Sequence, residues 1–242
     1  MSGDTTLVHY FPIVTTGLGL VFAVVLFRHW RRTRTPYVLW WFLGVVAYAV
    51  GTFAEGYTTL FGWQAPIFRT WYVAGALLGG APLAQGTVYL LLKRRTAHVL
   101  AVLLVAYVAV AATFVILSPI DAAAVEAHRL SGRVLEWSWV RLFSPVVNLY
   151  AVIFLVGGAI LSAVRYWRRS NRPIGRVWGN VLIAVGAILP GIGGTYARLG
   201  KVEVLYVTEL VGLSLIYAGY RLMAKSPAVA VHTGQQEAAA AG

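Results

Sequence analysis

The chain has 242 residues, of which 59% are hydrophobic and only 12% charged, about half the charge of a soluble domain. Its formal net charge of +12 would point to nucleic acid in a soluble protein, but the basic residues here lie between long apolar runs, which excludes that reading in favour of a membrane topology signal. There is no cysteine, so disulfides, thiol-attached haem, iron–sulfur clusters and thiol catalysis are excluded.

The apolar runs are each about 20 residues long, the length at which an α-helix crosses a ~30 Å hydrocarbon core. Lipid offers unpaired backbone groups no partner, so such runs must be helical. A β-barrel would instead show ~10-residue segments of alternating polarity. The first span runs from Tyr10 to Phe27 and stops at Arg28-His29-Trp30-Arg31-Arg32. It has no basic region before it and no small-residue cleavage site after it, so it reads as a retained helix. The second starts after Pro36 and reaches Leu60, with Trp40 and Trp41 at its first interface. The third covers Ile67 to Leu92 and the fourth Val99 to Leu117. A loop with Asp121, Glu126, Arg129 and Glu136 follows, in which Ile120 to Leu130 is expected to form a short interfacial helix. Trp137 and Trp139 mark the next interface. The last three spans are Leu142 to Val164, Val177 to Ala197 and Val204 to Leu222. Residues 1–225 thus form a single all-α, polytopic membrane domain of seven transmembrane helices. The Ala-, Gly- and Gln-rich residues 226–242 are expected to form a disordered cytoplasmic tail.

Orientation follows from charge. Arg28, Arg31, Arg32 and Arg34, then Lys93, Arg94 and Arg95, then Arg165, Arg168, Arg169, Arg172 and Arg176, then Arg221 and Lys225, all fall on one side. Asp4, Glu55, Asp121, Glu126, Glu136, Glu203 and Glu209 fall on the other side or in that half of the helices. By the positive-inside rule the N-terminus is outside and the C-terminus inside, in a plasma membrane. The basic face meets anionic headgroups, or a cytoplasmic partner or a second copy of the chain.

A shift of 137 residues places Arg28 to Pro36 on Arg165 to Pro173, with five of nine positions identical. In the same ungapped register Trp41 meets Trp178, Ala47 meets Ala184, Gly56 meets Gly193, Thr58 meets Thr195 and Gly75 meets Gly212. This predicts a parallel 3+1+3 internal repeat: one copy over about 9–92, a linker helix over 97–117, and a second copy over about 141–225.

Parallel repeats place binding sites at their interface near the midplane, where ionisable residues are costly and functional. Glu209 in the seventh span is the leading candidate, and the repeat pairs it with Tyr72. Arg69 lies one turn from Tyr72, and Glu55 ends the second span on the same side. These four are expected to cluster, with Arg69 holding one glutamate and Trp71, Tyr196 and Tyr206 lining the wall. Thr15, Thr16, Gln85, Thr87, Asn148 and Asn180 read as interhelical glue. Gly75, Gly79, Gly80 and Pro82, and Gly186, Pro190, Gly191, Gly193 and Gly194, suggest close helix approach or a kink. Pro190 with Gly191 is the expected hinge. His9, His29, His98, His128 and His232 show no metal or haem spacing, and no enzyme motif occurs. Neither cofactor nor catalytic residue is expected.

Seven helices, an outside N-terminus and a 3+1+3 duplication resemble the architecture shared by SWEET sugar transporters, their PQ-loop relatives and microbial rhodopsins. Ala81 to Gln85 is not the Pro-Gln motif of the PQ-loop family. Rhodopsins carry retinal on a lysine four residues after an acidic residue of the seventh helix; here Leu213 stands four after Glu209. Arg69 and Tyr72 keep that family's third-helix spacing, without its carboxylate. By fold alone neither likeness carries function. The scarcity of buried charge points to a carrier or binding protein for a small neutral or apolar molecule, since charged substrates need permanent countercharge, with its cavity between the second, third, sixth and seventh spans and open to the outside. The alternative is an opsin-like sensor lacking the retinal-attachment lysine and signalling through a cytoplasmic partner.

Overall fold

The computed structural model describes residues 7–169 and 172–226. Asp4, Ser170, Asn171, His232 and the expected tail after Ser226 lie outside the described residues. Those described are helical and without strands, and seven helices are long and apolar enough to cross a membrane: α1 Leu7–Thr33, α2 Pro36–Phe61, α3 Ala65–Leu91, α4 Arg94–Leu117, α5 Ser138–Trp167, α6 Ile174–Arg198 and α7 Val202–Lys225.

Local chemistry sets the helix ends. At the end of α1, Arg34 takes a left-handed conformation (φ 53°) and its N–H donates to the Trp30 carbonyl at 2.7 Å. Its guanidinium lies over the Trp30 ring, and Pro36 then opens α2 where no N–H is needed. Gly62 ends α2 with φ 82°, open to a glycine without strain.

In neighbour contacts the helices form the ring α1–α2–α3–α5–α6–α7, closed by α7 against α1, with α4 outside it against α3 and the start of α5. This peripheral position suits the sequence of α4, the most apolar span; Val102 is 68% exposed. Phe22, Trp41, Leu83, Leu155, Ile183 and Leu213 come from six different helices and meet in one buried core. All the turns rich in arginine lie at one end of the bundle, and residues 118–137 cross the other.

Two helices depart from α-geometry. α3 widens into a π turn at Tyr72–Leu77 and unwinds at Leu78–Gly80 before Pro82 restarts it. α5 carries a π turn at Val152–Val156. By contrast α6 stays helical through Pro190. The interruption among the small-residue runs therefore falls at Gly79–Gly80 rather than in the Pro190–Gly191 stretch, because the Pro190 ring is wedged against α7 at Gly212.

The 118–137 loop holds no helix over Ile120 to Leu130, contrary to the sequence reading. Only a 3₁₀ turn forms at Ala122–Ala124, capped by the Asp121 carboxylate accepting from the Ala123 N–H at 2.9 Å. Leu130, Val134 and Leu135 are buried against Phe68, Tyr72, Ala111 and Val115. Arg129 and Arg133 donate to the carbonyls of Ala197 and Arg198 at 2.6 and 3.3 Å, satisfying the end of α6 where the helix dipole favours cations. The loop is thus an ordered strap from α4 across α3 to α6.

Glycine lets α6 and α7 touch backbone to backbone. A Cβ on Gly186 would stand 2.5 Å from the Gly212 carbonyl oxygen, and one on Gly212 would stand 2.6 Å from that of Gly186. Nothing lies within 4 Å of a Cβ at Gly191. Gly186→Ala should therefore lower stability by about 1–3 kcal/mol through overpacking, while Gly191→Ala should be unchanged or slightly better through helix propensity. Thermal unfolding of the two variants in detergent checks the contrast.

Candidate functional site

Glu55 in α2 is 4% exposed. It stands six residues from the loop end of its helix, Trp71 six from the start of α3 and Glu209 seven from the start of α7. At 1.5 Å of rise per residue all three sit roughly 10 Å below the helix ends, and the structure brings them together. The Trp71 indole N–H donates to Glu55 Oε1 at 2.8 Å. The carboxyl groups of Glu55 and Glu209 are in hydrogen-bonding contact with each other. Oε2 of each is shut off from solvent and has no hydrogen-bond partner. Tyr206, only 3% exposed, completes the wall beside Thr59.

Two further residues belong to this constellation and escaped sequence reasoning. Tyr48 donates its hydroxyl to the Glu209 backbone carbonyl at 3.1 Å, joining α2 to α7. Thr59 anchors itself on the Glu55 carbonyl at 3.1 Å while meeting Tyr206. Both lie at helical spacing from Glu55, seven residues before and four after, hence on its face. That spacing was the available signal.

Other expected members go elsewhere. Tyr72 turns away from α7 toward α5 and the strap: Ser144 donates to its hydroxyl at 3.4 Å, and its ring sits against Gly132. Consecutive residues of a helix face different directions by about 100°, so Trp71 and Tyr72 cannot both face Glu55. Arg69 pairs with neither glutamate; its guanidinium donates to the Ser118 carbonyl at 3.2 Å. Among the described residues Arg129 pairs with Glu126 at 3.2 Å, and His9 Nε2 lies 3.8 Å from Glu203, both at the strap end. Tyr196 is 43% exposed. Pro190 and Gly191 lie further along α6, in an unbroken helix.

The site is therefore a carboxyl pair with an indole donor and no cation. Two carboxylates in contact within a low-dielectric interior cannot both be ionised; one proton held between them turns repulsion into a hydrogen bond. Such a pair can take up or release a proton, and it can accept a hydrogen bond from a neutral ligand. Among the described residues no group of His, Asp and Glu could hold a metal ion. No family model, curated protein or solved structure matches the chain.

The shared proton has a direct signature. Infrared spectra of the protein at neutral pH should show the carbonyl stretch of a protonated carboxyl group, and Glu209→Gln should remove it; a wild-type spectrum with ionised carboxylates only would contradict the pairing. Trp71→Phe, which strips Glu55 Oε1 of its donor, should cost about 1.5–3 kcal/mol of stability, read as a lower unfolding temperature.

Proposed function

We propose that the chain is an integral membrane carrier or binding protein for a small, neutral or apolar molecule, with the Glu55–Glu209 pair as its proton-holding and ligand-orienting group. The observation that carries this reading is the burial of two touching carboxyl groups at membrane depth without a countercharge. A charged substrate would call for a permanent opposite charge, and Arg69, the nearest candidate by sequence, is engaged elsewhere. Aromatic walls from Tyr48, Trp71 and Tyr206 suit an apolar guest. The opsin-like alternative has less support: Leu213, at the position of the retinal lysine, is fully buried in the packed core.

In this proposal the strap faces the outside and the arginine-rich turns face the cytoplasm, as the positive-inside rule requires of a plasma-membrane protein. The helices form two three-helix copies joined by α4. Gly75 and Gly212, paired by the repeat, each lie against a glycine of the preceding helix, Gly51 and Gly186 respectively. The strap would then be the outer gate, and its release from Ala197 and Arg198 would open the path to Glu209.

Two experiments test the proposal. In proteoliposomes with a trapped pH-sensitive dye, a panel of neutral solutes should reveal one that moves with protons, and Glu209→Gln should abolish that movement. Unchanged transport would remove Glu209 from the mechanism. For orientation, the absence of native cysteine makes any introduced thiol unique. A membrane-impermeant maleimide added to intact cells should label Ser131→Cys and leave Thr96→Cys unlabelled until the cells are opened.

A further inference from the structure

Away from the carboxyl pair, α2, α3 and α4 enclose a groove of about 620 Å³ that opens sideways from the bundle. Its wall is apolar: Leu43 and Val46 from α2, Val73 and Pro82 from α3, Val105 and Ile116 from α4. It runs beside the π turn and unwound stretch of α3. Arg69 lies at its strap end and Trp40 lines it from the arginine end of α2. From Arg69 to Pro82 the chain rises roughly 20 Å, more than the ~15 Å depth of one leaflet.

Arg69 gives the groove its chemistry. The only acceptor seen for its guanidinium is the Ser118 carbonyl, its Nε is buried with no hydrogen-bond partner, and no acidic side chain pairs with it among the described residues. An arginine one turn inside a spanning helix is expensive unless an anion meets it. Guanidinium groups match phosphate oxygens in a forked geometry. An apolar channel of acyl-chain length headed by an unpaired arginine is complementary to one partner.

We propose that this groove binds an anionic glycerophospholipid of the leaflet on the strap side, its phosphate on Arg69 and one acyl chain along α2, α3 and α4. The lipid fills the wedge beside the unwound Leu78–Gly80 stretch and completes the surface between α4 and the ring. This site is independent of the carboxyl pair and stands or falls separately from it.

Native mass spectrometry of the full-length protein, delipidated in detergent and offered phosphatidylglycerol or phosphatidylcholine of matched chains, tests the site. Wild type should retain phosphatidylglycerol about fivefold better, the scale of one basic residue's attraction to an anionic headgroup. Arg69→Gln should bring the two lipids level, while Arg141→Gln, a loss of charge at the same end but outside the groove, should keep the preference. Leu43→Trp, which fills the groove from an exposed position, should reduce retention of both lipids. Equal retention by the wild type, or a preference that survives Arg69→Gln, would overturn the proposal. So would a lipid-free dimer, which would put a second copy of the chain in the groove.

Discussion

Hydrocarbon supplies no hydrogen bonds, so each backbone N–H and C=O within it must be satisfied by the protein itself. The irregular stretch of α3 meets much of that constraint with local bonds. Where α3 leaves α-geometry, the Leu78 N–H donates to the Val73 carbonyl, the Gly79 N–H to Gly75 and the Ala84 N–H to Gly80, each at 3.0 Å. Most of the threonines do the same with their hydroxyls, returning them to carbonyls four residues back, as Thr15 does to Phe11 and Thr87 to Leu83. With backbone and small polar groups consumed locally, few groups remain to interact between helices. Helix association then rests on shape, chiefly glycines that let backbones meet and the apolar core shared by six helices.

Against that background the carboxyl pair stands apart. Arg129 of the strap finds its partners near the surface, on Glu126 and the Ala197 carbonyl. Glu55 and Glu209 instead face each other beneath the strap, held by Trp71 on one side and by Tyr48 bridging α2 to α7. The strap and the pair are mechanically related, because the strap is anchored on α6, which packs along the whole of α7.

The spans were legible because hydropathy over ~20 residues leaves little room for another reading, and the structure differs mainly in extending them, α7 from Val202 to Lys225 for instance. The strap was not legible: Ile120 to Leu130 is apolar enough for an interfacial helix, but Leu130 is drawn instead into contacts with α3 and α4, which no local pattern announces. Of the site, Glu209 and Glu55 stood out because charge is rare in these helices, and Trp71 and Tyr206 by nearness to them. Arg69 and Tyr72 were misplaced because linear spacing across the repeat ignores the direction a side chain takes from its own helix. Pro190 drew attention as a helix breaker, yet within the membrane a proline can be accommodated when a glycine opposite takes its ring, as Gly212 does.

The widened turn of α3 acts as a change of phase. At about 100° per residue and 1.5 Å of rise, a regular helix would return Gln85, fourteen residues after Trp71, to within roughly 40° of the same direction, about 21 Å further along the helix. Instead its amide donates to the Ala97 carbonyl of α4 at 2.9 Å and accepts from the Tyr150 hydroxyl of α5. The irregular turn thus splits the polar residues of one helix into two separate circuits, one toward α2 and α7 and one toward α4 and α5. Straightening this turn into regular helix at unchanged length would rotate one circuit toward the face of the other, so the geometry of this segment is as much a part of the site as the residues that line it.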